Sequence, residues 1–149
     1  MLEFFRNLFA HDKWAIDRSL ATIQWLANSR AQLMLSHILL AEKIWLDRLK
    51  GEDQTVADVF TALSLDECVH ASRELNAEYI NYIGSLSESD LDSLVSYKTI
   101  KGDPFQTSVK DILTHVGIHG AYHRGQIAML VRDGGGEAVG TDYILFTRI

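Results

Sequence analysis

The chain contains a single proline and little glycine before residue 134, and this scarcity constrains its fold more than any other feature. Proline breaks the interior of a helix and glycine weakens it, so this chain can form long uninterrupted helices. Apolar residues make up 47% of the 149 residues, which is enough for one hydrophobic core, and the length is typical of one domain. We therefore predict an all-α fold and a single domain over 1–149.

The first half of the chain shows the apolar spacing of two long helices. The first helix is predicted over 2–27 and the second over 30–50, with Asn28 and Ser29 as capping residues at the break. The middle of the second helix is apolar nearly all round, which is typical of a helix buried on most sides. His37 lies at the centre of this apolar run.

Two further helices are predicted in the second half. A short helical turn over 55–63 leads to the capping-box sequence SLDE at 64–67, where a third long helix begins. The segment 84–106 is irregular, and its apolar stretches around the sequence KGDP are consistent with a small hairpin. The fourth helix is predicted over 108–133.

The charge and the composition exclude several classes of function. The net charge is −6 and the basic residues are scattered, whereas nucleic-acid binding needs clustered Lys and Arg. We therefore expect no nucleic-acid partner. The N-terminal segment lacks the pattern of a signal peptide, no apolar run is long enough to span a bilayer, and Cys68 is the only cysteine. These features predict a cytoplasmic protein without a membrane segment.

Three histidines recur at every fourth position of the fourth helix: His115, His119 and His123. Residues four apart lie on one face of a helix, one turn apart, so two such imidazoles can hold one metal ion. A third ligand must come from another helix, and His37 is the best-placed candidate. The predicted metal ligands are therefore His37, His119 and His123.

Three protein ligands leave one coordination position open, which is typical of catalytic rather than structural metal sites. Imidazole binds zinc, nickel, iron and copper, so the ligand type does not fix the metal. Each histidine also has a simpler interpretation. A single histidine on an apolar helix is commonly a hydrogen-bonded core residue, and histidines four apart can be exposed or can orient a ligand. For His115 we favour a role in orienting the ligands.

Charged residues near these helices have more than one interpretation. Asp12 interrupts the apolar stripe of the first helix, so it is either solvated or faces a polar group inside the protein. We favour solvation for both Asp12 and its neighbour His11, because a charged side chain is seldom buried without a partner. Arg124 cannot bind metal. It is expected to pair with a carboxylate such as Glu42 or Asp47, or with an anionic ligand.

Three segments of the chain resemble the DinB family, also described as DinB/YfiT-like metalloenzymes. FAHDKWAIDRSL is similar to that family's aromatic-Asn-x-Trp-Ala-Asn stretch, and HILLAEKIWLDRLKG to its His-x-x-x-Ala-Glu-x-x-Trp-Leu-x-Arg-Leu pattern. HVGIHGAYHRGQ closely resembles the His-x-x-x-His-Gly-x-x-His-Arg-Gly-Gln signature, and TDYILF resembles the Asp-containing C-terminal stretch. Asp12 stands where the family usually has asparagine, and Tyr122 where it often has histidine; neither change removes a ligand.

The resemblance implies an up-down-down-up four-helix bundle with a metal held by His37, His119 and His123. It also implies a homodimer and, for some relatives, transfer or isomerisation reactions that use low-molecular-weight thiols. The family's name refers to induction by DNA damage, not to DNA binding.

The leading functional hypothesis is a metal-dependent enzyme. It transfers a low-molecular-weight thiol to an electrophilic small molecule, or hydrolyses its substrate, at a site that holds zinc or nickel, with iron as a further possibility. Asp12 or His115 is expected to act as a base or to orient the reacting groups. The alternatives are a non-catalytic bundle that binds a metal or ligand, and a protein whose histidines are purely structural.

Overall fold

The computed structural model describes residues 1–26 and 29–149, so the predicted cap at Asn28 lies outside the described residues. The four long helices are α1 (Leu2–Leu26), α2 (Ser29–Lys50), α3 (Leu65–Ser85) and α4 (Val109–Asp133). A small hairpin precedes α4, and a short helix, α5 (Tyr143–Phe146), lies near the end of the chain. The predicted all-α fold is therefore confirmed, with its boundaries within two residues of the expected ones.

The contacts between helices give their directions. Helices α1 and α4 run the same way, because the backbone of Gly117 lies against Leu8 while Arg124 contacts Asp12 further along both helices. Helices α2 and α4 run in opposite directions, because His37 lies near His123 whereas a later residue of α2 contacts His115.

Helices α2 and α3 are parallel. Ser36 lies 3.8 Å from the sulfur of Cys68, and the hydroxyl of Tyr79 donates to the carbonyl of Glu42 over 2.7 Å. A parallel pair needs a long crossover, and the chain supplies one in the segment 51–64. The order of directions is thus up-down-down-up, as the resemblance implies.

Side-chain caps fix the starts of the two later helices. Ser64 accepts a hydrogen bond from the Glu67 amide over 3.2 Å, and the Glu67 carboxylate accepts one from the Ser64 amide over 2.7 Å. This reciprocal pair is the predicted capping box. At α4 the hydroxyl of Ser108 accepts from the amide of Asp111 over 3.2 Å.

The segment 51–64 contains no helix, so the predicted helical turn at 55–63 is wrong. Side chains of α2 hold this segment in a non-helical conformation. The Asp47 carboxylate accepts from the amide and the hydroxyl of Thr55, and the Gln32 amide donates to the carbonyl of Leu63 over 2.7 Å. These contacts with α2 replace the internal hydrogen bonds that a helical turn would form.

The predicted hairpin is present. Strand β1 (Leu94–Lys98) pairs antiparallel with β2 (Pro104–Ser108), and Tyr97 lies opposite Phe105. Gly102 has φ +90 in the connecting turn, a conformation that favours glycine. Along β1 exposed and partly buried residues alternate, so Tyr97 lies on the face towards the bundle, close to α2.

The core lies between the four long helices. All five residues of the predicted apolar stripe of α1 are buried: Phe5, Phe9, Ile16, Leu20 and Ile23. On helix α3 the apolar Val69 is 44% exposed, because Cys68 and Ser72 occupy the inward side. His70 is exposed and lies 3.1 Å from the Glu74 carboxylate on the surface.

The C-terminal segment docks on α1. The ring of His11 contacts Tyr143 at 5.1 Å and Phe146 at 5.7 Å, and its Nε2 donates to the carbonyl of Thr141 over 2.8 Å. His11 is therefore buried, and the expectation that it is solvated is wrong, because the returning chain covers it. Within the described residues, none of the helices is both long and apolar enough to cross a membrane.

Candidate metal centre

Side chains from α2 and α4 bring three histidines together. One nitrogen from each of His37, His119 and His123 lies within 4.8 Å of the others. The Nε2 atoms of His119 and His123 are 3.1 Å apart, and the ring centroid of His37 lies 5.1 Å from that of His119 and 4.6 Å from that of His123. The predicted ligand set is thus a single cluster in the structure.

Hydrogen bonds orient two of the three rings. The Nδ1 of His37 donates to the carbonyl of Val59 over 3.1 Å, and the Nδ1 of His123 donates to the side-chain oxygen of Gln126 over 2.6 Å. With the proton on Nδ1, each Nε2 carries a free lone pair. This arrangement fixes the tautomer and the ring direction, as it commonly does for histidines that bind metals.

The segment 51–64 covers one side of the cluster. The ring of Phe60 stacks on His37 with centroids 4.7 Å apart and planes 8° apart, although Phe60 itself is 59% exposed. Val59 and Phe60 lie within the segment 55–63, which was predicted to be a helical turn, and neither contact was expected from the sequence. No local sequence pattern predicts these contacts, because any residue has a backbone carbonyl and an exposed aromatic ring has many roles.

The surroundings favour neutral imidazoles. Burial lowers the pKa of His119 to about 4, assisted by the neighbouring rings of His123 and His37. Burial also lowers the pKa of His37, although the hydrogen bond to Val59 acts in the opposite direction. Only a neutral imidazole can coordinate a metal, so at neutral pH these two rings need not lose a proton to bind one.

The structure places His115 beside the cluster but not within it. Its ring is 5.6 Å from that of His119 and packs edge-on against Trp45 at 5.1 Å. Burial and the nearby Arg48 guanidinium lower the pKa of His115. His115 thus contacts one of the three rings.

Asp12 is buried, and the expectation that it is solvated is wrong. Its carboxylate forms an ion pair with Arg124, the residue after His123, and both side chains are almost completely buried. Arg124 therefore pairs neither with Glu42 nor with Asp47, whose carboxylate accepts from Lys43. The partner lies 112 positions away in the chain, where only the packing of α1 on α4 brings it close.

Glu42 joins this buried pair. Its pKa is raised well above the usual value, mainly by burial and also by the Asp12 carboxylate, with which it shares a hydrogen bond. A protonated Glu42 that donates to Asp12 leaves the ion pair of Asp12 with Arg124 electrically balanced. One further oxygen of Glu42 and the Nε of Arg124 have no hydrogen-bond partner among the described residues.

The donor set fits a divalent cation of the first transition series. Three histidine nitrogens converge from two helices, which is how helical bundles commonly build metal sites. No carboxylate or thiolate belongs to the cluster among the described residues, and the buried Cys68 lies on α3 beside Ser36. Burial raises the pKa of the Cys68 thiol, as expected of a small core residue rather than a nucleophile.

Comparisons with known proteins identify a related sequence and a related fold. Protein DinB of Bacillus subtilis (strain 168) is 26% identical over 123 residues, which cover 76% of this chain and 69% of that protein. A crystal structure of a DinB-like protein from Bacillus cereus ATCC 10987 superposes with a TM-score of 0.72 at 17% identity, covering 93% of this chain and 95% of that one. This likeness supports the fold. The sequence model of the DinB family matches residues 21–149, so the chain belongs to the DinB family.

Proposed function

We propose that this protein is a metal-dependent enzyme that transfers a low-molecular-weight thiol to an electrophilic small molecule. Zinc and nickel are the first candidates for the metal, and iron is the third, because imidazole donors suit all three. His37, His119 and His123 hold the cation in this proposal.

One observation carries the proposal. The Nδ1 atoms of His37 and His123 are occupied by Val59 and Gln126, so that both rings present Nε2 to a common point that His119 also faces. Histidines that served only to fill the core would not need their free lone pairs to converge.

A cation at such a site with an open position supplies Lewis acidity, which makes a bound thiol or water nucleophilic at neutral pH. Hydrolysis is therefore the second reaction that the same site supports. We assign His115 the role of a base in this proposal, because its exposed ring lies next to His119 and its lowered pKa leaves it able to accept a proton. Asp12 is assigned a positioning role, since its carboxylate already pairs with Arg124 beside His123.

Metal analysis tests the site itself. The purified protein is expected to bind one equivalent of zinc or nickel, and His119→Ala is expected to lose it. His70→Ala is the matched control, because His70 is an exposed histidine on α3. Absence of stoichiometric binding, or equal binding by His119→Ala, would show that the histidines are structural.

Turnover tests the reaction. The metal-loaded protein is incubated with a panel of small thiols and electrophiles, and thioether formation is followed by mass spectrometry. We expect a product that requires both the thiol and the metal. A second panel of ester substrates is tested without a thiol, and product formation there would favour hydrolysis. Stoichiometric metal binding without turnover on the thiol panel or the ester panel would favour a non-catalytic binding protein.

A homodimer in the cytoplasm completes the proposal. The outer face of α4 exposes large apolar residues at helical spacing, Ile118, Tyr122 and Met129. Phe4 of α1 lines the same cavity as Ile118. We propose this face as the contact between two copies. Light scattering is expected to give the mass of a dimer, and Ile118→Glu to give that of a monomer.

A further inference from the structure

The face that carries the metal cluster continues along α2 and α4 towards the hairpin. Trp45 lies two turns after His37 on α2, and His115 lies one turn before His119 on α4. Because the two helices run in opposite directions, both side chains lie on the same side of the cluster. Their rings are 5.1 Å apart, and His115 is 5.6 Å from His119, so the contacts run without a break from the cluster to Trp45.

Arg48 lies at the far end of this face. Its guanidinium carbon is 4.5 Å from the ring centroid of Trp45 and 4.7 Å from that of Tyr97. One Nη donates to the carbonyl of Lys98 over 3.1 Å. Two aromatic rings and one carbonyl thus hold the guanidinium in a fixed position, and β1 supplies two of these three contacts.

No carboxylate neutralises this guanidinium. The ion pairs formed by the described residues do not include Arg48. The carboxylate of the adjacent Asp47 pairs with Lys43 and accepts a hydrogen bond from Thr55. Arg124, which also lies near the cluster, forms its ion pair with Asp12. Burial lowers the pKa of Arg48, which reflects a charged group that has lost water without gaining an anion. In a chain of net charge −6, it is unusual for an arginine beside the cluster to be fixed in position without forming an ion pair with any described carboxylate.

We propose that Arg48, backed by Trp45 and Tyr97, binds the carboxylate of a small-molecule substrate whose reacting end lies at the three histidines. Arginine binds carboxylates through two parallel hydrogen bonds, and the described residues accept a hydrogen bond from only one of the five N–H groups of Arg48. Trp45 and His115 provide the surface along which the middle of the substrate lies.

The contacts limit the size of the substrate. Trp45 lies about 12 Å along the axis from His37, and helical side chains lean towards the N-terminus, so the guanidinium is roughly 10–15 Å from the cluster. This inference rests on the proposed function, because it needs a reacting group at the histidines. The substrate class is therefore an extended carboxylic acid, and the acid belongs either to the thiol or to the electrophile.

Binding of matched thiols tests the inference. Cobalt(II) is loaded into the protein as a coloured probe. The ligands are ω-mercapto carboxylic acids of increasing chain length, each paired with the ω-mercapto alcohol of the same length. Thiolate ligation is followed by the cobalt absorption bands, and total binding is followed by calorimetry. The variants are Arg48→Gln, Arg48→Lys and Arg132→Gln, the last being a matched exposed arginine on α4.

We expect acids of one intermediate length to bind the wild-type protein about 10- to 100-fold more tightly than the paired alcohols. A charge-assisted hydrogen bond gives an affinity difference of this size. Arg48→Gln is expected to abolish this preference while leaving the metal content and the binding of the alcohols unchanged. Arg48→Lys is expected to keep part of it, and Arg132→Gln all of it.

The inference would be overturned if acids and alcohols bound equally at every length in both the mercapto series and the halo series described next, or if the preference survived in Arg48→Gln. The proposed metal–thiol chemistry fails by a different readout: the cobalt bands would then respond to no thiol, acid or alcohol. A parallel series of ω-halo carboxylic acids, with the ω-halo alcohols as controls, locates the acid. If the Arg48-dependent preference appears in this series and not with the thiols, the electrophile carries the carboxylate.

Discussion

The Nε2 atoms of His119 and His123 lie 3.1 Å apart on one face of α4. Two nitrogens bound to one tetrahedral zinc at about 2.0–2.1 Å are roughly 3.3 Å apart. The two rings therefore already have nearly the separation that chelation requires, and a cation would need little rearrangement of α4. The orientation of the His123 ring depends on its hydrogen bond to Gln126.

Gln126→Leu is expected to weaken zinc binding by about 10- to 100-fold, because the Nδ1 of His123 loses the acceptor that holds its ring. A chelator competition titration measures the affinity. Gln24→Leu, at an exposed position of α1, is the control for the loss of a glutamine. Equal affinities for Gln126→Leu and wild type would show that Gln126 does not orient the ligand.

The stability of the metal-free protein is expected to fall as the pH is lowered from about 6.5 to about 4. The pKa of His119 is about 4 in the folded protein and about 6.5 when unfolded, so in this range the unfolded chain binds more protons. Allowing for solvent screening of this half-buried ring, we expect His119 to account for about 1–2 kcal/mol.

Urea unfolding at a series of pH values, with a chelator present, measures this effect. His119→Gln is expected to lose less stability than wild type over that interval, while His70→Gln, at an exposed site, behaves as wild type. Parallel curves for wild type and His119→Gln would contradict the prediction.

Glu42→Gln is expected to become more stable than wild type as the pH rises. The pKa of Glu42 is raised in the folded protein, so its contribution is complete below about pH 4.5 and is lost as the pH rises through the folded pKa. The loss is at most about 1.4 kcal/mol per pH unit. Glutamine keeps a donor for Asp12 and does not ionise.

This difference is measured by unfolding between about pH 6.5 and pH 8.5, above the range in which His119 contributes. Glu52→Gln, at an exposed position, is the control. Asp12→Asn provides a contrast, because it leaves Arg124 buried without its ion-pair partner and is expected to cost about 3–5 kcal/mol. A pH-independent difference between Glu42→Gln and wild type would argue that Glu42 is ionised in the core.

Two glycines of α4 are expected to respond oppositely to alanine. A Cβ at Gly120 would lie 2.8 Å from an Asp12 oxygen and 2.9 Å from an Arg124 nitrogen, so the buried ion pair would have to move. Gly120→Ala is therefore expected to lower the free energy of unfolding by about 2 kcal/mol or more. Gly125 has no atom within 4 Å of such a Cβ.

Gly125→Ala is accordingly expected to stabilise by about 0.5–1 kcal/mol, through helix propensity alone. Thermal and urea unfolding of the two variants under the same conditions measure both effects. Stabilisation by both substitutions would mean that the ion pair of Asp12 with Arg124 tolerates a methyl group.

Sequence periodicity was sufficient to predict the long helices and the histidine cluster. The spacing of His119 and His123 places both rings on one face of any α-helix, whatever surrounds it. His37 stood out because a polar group in an apolar run needs a partner. Both inferences depend on backbone geometry within a few residues, which the local sequence encodes.

The tertiary structure decided the partners. Asp12 meets Arg124, Val59 meets His37, and Arg48 lies between Trp45 and Tyr97 only because of how each helix is rotated and where each connection runs. Rotation and path are set by the packing of the whole core, to which many distant residues contribute small energies. The sequence by itself thus determined the long helices and the histidines that share one face of α4, whereas packing decided which charged groups are buried, which polar groups they meet and which cation was left without an anion.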